Sequence, residues 1–452
     1  MKRFLILVII IVGCKRAINK PPDTPAISGD TCIKIGDTAV IIVSADDPDS
    51  DEVAIRVDWG DGFASDWSYY TLTGHLISMS HLYSSADTYY IRAQAKDIKG
   101  NLSKWSQGYR LIVQGKWSQM AIGAGWDRML GIAVGNIKGK YCVYAGSRDY
   151  SLYEFEWTGE NWTQKDVGTG NGWMEGVTIG DGRGDGKLRI YVGCDDGHVY
   201  EFEYTGSDWV KNDIGYGGSG MRMIAIGDGR GDGKPRVYAA CHDSNIYEFE
   251  WTGTEWVKSI VGSGKDKMIV VAIGRVKGDG KPRVYAGGWD CYLYEFEWTG
   301  SSWTKNTVGA CEDVIRGIAI GDGRGDGKQR IYVGSADDHV YEFEWTGTGW
   351  NKVDLGSGEG GMAGVAIGEV KEDGKPRVYS ACGDWHVYEF EWTGSDWVKR
   401  DVGSALWPVW RIAIGDGRNE GKLRIYATSF DTYVSEFEWV KELKSKKVNL
   451  IY

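Results

Sequence analysis

A five-residue phrase that begins at Tyr153 (Tyr-Glu-Phe-Glu-Trp) returns in phase at Tyr200, Tyr247, Tyr294, Tyr341 and Tyr388, then in degenerate form at Ser435, always 47 residues on. A fixed period of this length, carried by β-forming aromatics with glycine-rich turns between them, belongs to repeat architectures and not to a single layered core. With seven copies and no helical pattern in any of them, the repeat predicts an all-β chain whose main domain is a seven-bladed β-propeller.

One repeat shows the grammar. Met223–Ile226, Arg236–Ala239, Ile246–Trp251 and Trp256–Val261 read as four strands in series, a to d. Alternation along strand c places Tyr247, Phe249 and Trp251 on one face and Glu248 and Glu250 on the other. The paired glutamates recur in every copy, so they read as structural, with Arg236 on b and Lys258 on d as their expected partners. The aspartates from Asp149 to Asp431 at the b to c turn read as caps for turn amides. An extra copy of strand d at Trp117–Gly123 precedes the first strand a, whereas the last repeat ends at strand c. The N-terminal strand is therefore expected to complete the last blade, giving a propeller over residues 116–440 and a C-terminal tail over 441–452.

Between strands a and b lies Asp181-Gly182-Arg183-Gly184-Asp185-Gly186-Lys187-Leu188-Arg189, nearly repeated from Asp228 and Asp322. This loop resembles that of the FG-GAP/VCBS propeller repeats, which implies a calcium site with six to eight oxygen ligands. The acids at its first and fifth positions are present (Asp181 and Asp185, Asp228 and Asp232, Asp322 and Asp326). Its third and ninth positions carry Arg or Lys, so the expectation is a degenerate loop without metal, in which a guanidinium bridges the carboxylates.

The N-terminus reads Met1-Lys2-Arg3, then an apolar run from Phe4 to Val12, then Gly13-Cys14: a secretion leader too short to span a membrane. Ile11-Val12-Gly13-Cys14 resembles the lipobox of bacterial lipoproteins, so residues 1–14 read as a lipoprotein signal peptide with its lipobox cysteine; the resemblance implies cleavage ahead of Cys14, which becomes the lipidated first residue of the mature protein. Lys15, where some Gram-negative lipoproteins carry an inner-membrane retention Asp, favours the outer membrane or cell surface. Residues 15–24 read as a tether. The formal charge of −11 moves to about −13 without Lys2 and Arg3, which argues against nucleic acid as a partner. The eight cysteines contain no C-x-x-C pair and read as no disulfide framework or zinc site.

Residues 25–113 change to alternating strands of the immunoglobulin-like sandwich type. The phrases Asp58-Trp59-Gly60-Asp61-Gly62, His81-Leu82-Tyr83 and Ala95–Gly100 resemble the polycystic-kidney-disease (PKD) type of domain, which implies a spacer or adhesion module. The acidic run Asp46–Glu52 reads as a solvated loop in preference to a calcium site.

No nucleophile elbow, His-Glu-x-x-His helix or phosphate loop is present, and no cofactor is implied. His198, His339 and His386 share one repeat phase and read as turn-flanking residues. Positions at which the beat breaks carry the functional expectation. These are Trp126, Arg128, Trp173, Arg222, Trp407 and Trp410 in the d to a loops, with Trp289 and Trp385 in the b to c turns. Both loop sets belong to one face of a propeller, around its mouth, where aromatics among charges suit a glycan or a protein hot spot. The expected function is non-catalytic: a lipid-anchored envelope protein binding a protein or carbohydrate ligand. An outer-membrane assembly scaffold is the alternative, and a propeller-based polysaccharide lyase or glycosidase ranks third. Oligomeric state stays open.

Overall fold

The computed structural model describes residues 19–443, so the leader, Cys14 and most of the C-terminal tail lie outside the described residues. The chain forms two compact units, one ending at Lys116 and resuming at Val440, the other running Trp117–Trp439.

The first unit is a sandwich of β1 (Ala26–Gly29), β2 (Cys32–Lys34), β3 (Thr38–Ser44), β4 (Val53–Asp58), β5 (Ile77–Leu82), β6 (Thr88–Asp97) and β7 (Tyr109–Gln114). One sheet runs β1-β3-β5 and the other β2-β7-β6-β4. Alternation decides which side chains enter the core: Ala39, Ile41 and Val43 of β3 face in, meeting Ile55, Ile91 and Leu111. His81 stacks on Trp59 with ring centres 4.9 Å apart and bonds Asp61 at 2.7 Å, so two of the phrases read from the sequence meet in one contact. Residues 441–443 are not a free tail. Ala86 N–H donates to the Lys441 carbonyl and Leu443 N–H to that of Ser84, because unpaired backbone groups there find partners in the sandwich.

The second unit holds seven four-stranded antiparallel sheets in tandem. In the third these are a (Met221–Gly227), b (Arg236–Cys241), c (Asn245–Trp251) and d (Trp256–Ser263). The a strands of neighbouring sheets pack on one another around a closed circuit, the seventh on the first. The seventh sheet takes its fourth strand, Lys116–Ala124, from ahead of the first repeat. The circuit thus has no open seam between its first and last sheets.

Adjacent sheets are joined by three recurring contacts. The strand-b tyrosine meets the strand-d tryptophan of the next sheet edge to face, as Tyr191 does Trp256 and, closing the circuit, Tyr426 does Trp162 at 6.0 Å. A strand-d glycine lets the next sheet's phenylalanine approach; a Cβ on Gly262 would lie 2.2 Å from the Phe296 ring. The strand-d lysine reaches back to the preceding sheet, Lys258 Nζ donating to the Tyr216 carbonyl at 2.7 Å. Lys258 is thus not a glutamate partner, because its ammonium lies 4.8 Å over the Tyr247 ring and is bonded to that carbonyl.

Candidate functional site

The a to b loops answer the calcium question chemically. Asp228 is spent on backbone amides, accepting from Gly231, Asp232 and Gly233. Asp232 is chelated by Arg236 through two bonds of 2.9 and 2.8 Å, and that arginine, 1 % exposed, also donates to Glu250 at 3.0 Å. The guanidinium holds the Asp232 carboxyl well below its usual range. The third-position Arg230 turns away from the loop to Glu248, Nε donating at 3.1 Å, while its guanidinium lies 4.3 Å over Trp298 of the next sheet. The bridging guanidinium is thus the ninth-position residue alone. The first and fifth acids have both given their oxygens to fixed donors, so the donor set does not fit a calcium ion.

In the first unit Asp46, Asp49 and Glu52 of the acidic run are exposed, as a solvated loop requires, while Asp47 is buried and accepts the Asp49 and Asp51 amides on Oδ1. Asp51 and Asp97 lie beside it, with Lys99 bonded to Asp51 at 2.7 Å.

A cavity of about 590 Å³ opens where d to a loops and b to c turns meet the tops of the a strands. Five of the eight residues singled out line it: Arg128, Trp173, Arg222, Trp289 and Trp410. Trp126, Trp385 and Trp407 do not, and are 91 %, 50 % and 57 % exposed. Trp385 occupies the left-handed position of its turn (φ 83°), equivalent to Gly197. A loop tryptophan's direction is set by such backbone angles, which the residue type does not reveal.

Six sheets contribute walls; the sixth supplies none of the lining, and its glycine at 361 leaves room for the Arg316 guanidinium. Guanidinia and rings interleave. Arg148 lies 3.9 Å over Trp173, Arg128 4.8 Å over Phe430, and Arg411 5.0 Å over Trp410. Arg222 is fully engaged: it pairs with Glu175, with Asp195 at 2.9 Å, and donates to His242 Nε2 at 2.7 Å. Burial raises the Glu175 carboxyl against the pull of Arg222. Burial, with Arg222 beside it, brings the His242 imidazole down to about 4, so the ring is neutral at ordinary pH. Beneath this bowl a cavity of about 60 Å³ continues between the a strands, and Glu175 and Arg411 border both spaces.

Glu175, Arg316, Arg411, Arg148, His242 and Phe430 are site residues that the loop-by-loop reading passed over. A signal for them exists in the repeat. The second residue of strand a runs Leu130, Glu175, Arg222, Ile269, Arg316, Ala363, Trp410, and the residue before the turn aspartate runs Arg148, Asp195, His242, Trp289, Ala336, Gly383, Phe430. Neither series keeps one residue type, while the turn aspartate beside the second is the same in every sheet.

No family model and no curated protein matches the chain. The first domain has a PKD-domain neighbour. It is the PKD domain of an M14-like peptidase from the Thermoplasmatales archaeon SCGC AB-540-F20, 32% identical, covering 22% of this chain and 99% of that one, with a TM-score of 0.21. The crystal structure of Chaetomium thermophilum Raptor is also similar, with a TM-score of 0.51 at 13% identity over 73% of this chain and 30% of that one. At that identity the likeness is one of fold alone.

Proposed function

We propose that the chain is a non-catalytic cell-envelope lipoprotein that binds a carbohydrate or protein ligand through the loop face of its propeller. The single observation carrying the reading is the concave mouth itself: its walls are built from the positions at which otherwise uniform repeats differ. Residues repeated in every sheet are consumed in joining sheets, so they are not available to a ligand, whereas the mouth residues vary freely and converge on one bowl of a size suited to small ligands.

The lipid anchor rests on the leader and Cys14, and the FG-GAP/VCBS kinship on the a to b loop phrase. In this reading the first domain acts as a spacer. A glycan array and an affinity pull-down from envelope extract test the proposal. Binding that is lost on Trp289→Ala and kept on Trp385→Ala is the expected result, because only the first lines the cavity. Retention of an assembly complex that ignores both substitutions would instead support the scaffold reading.

A further inference from the structure

The chain is acidic overall, yet the mouth of its propeller is basic. Five arginines line the bowl, at positions 128, 148, 222, 316 and 411, against one carboxylate, Glu175. That carboxylate and the neighbouring Asp195 are both taken by Arg222. Among the described residues, Arg128, Arg148, Arg316 and Arg411 have no carboxylate within ion-pair distance, whereas the a to b loop arginines are saturated with them.

Arg411 is the most telling of these. In the other sheets its position is held by Gly131, Gly176, Met223, Val270, Gly317 and Gly364, small or apolar residues of the inner strand. The arginine there is 9 % exposed, its Nη1 donates to the Arg316 carbonyl at 2.7 Å, and its Nε has no partner. A buried cation with an unmet N–H, whose facing carboxylate, Glu175, is already paired with Arg222, is costly to fold, and a ligand anion would compensate it. Arg316, on the same rim, has its guanidinium beside Gly361 and toward the same Trp410 ring.

Resting on the reading that the mouth is the ligand site, we propose that its ligand is a carboxylate-bearing saccharide. The carboxylate of a uronic acid unit meets Arg411 and Arg316, where planar guanidinium forks match it. The indole of Trp289, half exposed, one sheet from Arg316 and three from Arg411, offers the face opposite Lys267 to a neighbouring sugar ring. A saccharide is favoured over an acidic peptide because the bowl alternates cations with ring faces, and a uronic acid joins a ring and a carboxylate in one unit.

Calorimetry on the full chain tests this with an oligogalacturonate, its carboxyl-reduced counterpart and a polyglutamate peptide. The acidic saccharide is expected to bind at least about tenfold more tightly than the reduced one, and to weaken about tenfold in R411M and in R316M. R411K, which keeps the charge without the fork, is expected to fall between, and thermal melts of each variant separate lost binding from lost fold. Equal binding of both saccharides, lost in W289A, would overturn the anionic ligand and leave the mouth as a site. Binding indifferent to R411M, R316M and W289A would overturn both. Preference for polyglutamate, or no binding by any probe, would overturn the saccharide.

Discussion

The guanidinium of Arg418, in the seventh sheet, lies 4.3 Å over the indole of Trp157 in the first. The same arginine donates from Nε to Glu436 Oε2 at 3.0 Å within its own sheet. One side chain thus neutralises a buried acid and closes the circuit. Equivalent pairs, such as Arg183 with Glu201 and Trp251, repeat around it.

Arg418→Ala is expected to cost about 3 kcal/mol, because it strands a buried carboxylate. Burial already raises the Glu436 carboxyl above its ordinary value. A carboxyl raised in the folded state binds its proton more tightly there, so stability falls as pH rises above the unfolded value of about 4.3. With Arg418 gone that penalty grows. Denaturation midpoints should therefore show a deficit that is small near pH 4 and largest at neutrality; a deficit independent of pH would contradict the assignment.

Ring closure depends on the strand Lys116–Ala124. Deleting residues 116–123 should lower the melting temperature severely. Gly123→Val is a finer probe, since a Cβ there would lie 2.2 Å from the Phe155 ring of the first sheet. About 2 kcal/mol of destabilisation is expected from such overpacking. Unchanged melting in the deletion would show that the strand does not complete the circuit.

Calcium at micromolar concentration should leave the melting temperature unmoved. Acid is the sensitive variable instead. Arg283 brings the Asp279 carboxyl down to about 2, so its contribution is complete above the unfolded value of about 3.9 and is lost as pH falls toward 2. Because Asp279 is 39 % exposed, Asp279→Asn should lower melting by only about 1–2 °C at pH 7 and by nothing near pH 2.

At the b to c turns, seven equivalent residues adopt positive φ, among them Gly197 at 91° and Thr432 at 76°. A β-branched residue pays for that conformation where glycine does not. Thr432→Gly is expected to stabilise by roughly 0.5–1 kcal/mol, read from denaturant midpoints, after the entropy of glycine is offset. Destabilisation would mean that the threonine side chain makes a contact worth more than the strain.

The strand order and the borrowed closing strand were legible in the repeat because alternating aromatics report which face is buried, and counting reports which strand is missing. The partners of the strand-c glutamates were harder. Arg230 reaches Glu248 from a loop 18 residues away, while the nearer candidate, Lys258, is drawn to a carbonyl of the preceding sheet. Such choices depend on distances between sheets, which periodicity does not carry. At the mouth, Trp289 was visible because it stands out in a turn, but Arg411 was not, being a single charge in a column of glycines and apolar residues. Reading each column of the repeat for its exceptions, strands as well as loops, would have found it.

The joints that recur in every sheet and the residues that line the mouth occupy different positions of the repeat, although Arg222 also ties the third sheet to Glu175 and Asp195 of the second. Arg230, Tyr238 and Gly262 hold neighbours together; Arg222, His242 and Trp289 touch the bowl. A change of specificity therefore need not draw on the stability of the ring. The molecule behaves as a fixed frame with exchangeable letters around its opening, and a new ligand can be reached by substitutions at a few rim positions while every joint between sheets stays as it is.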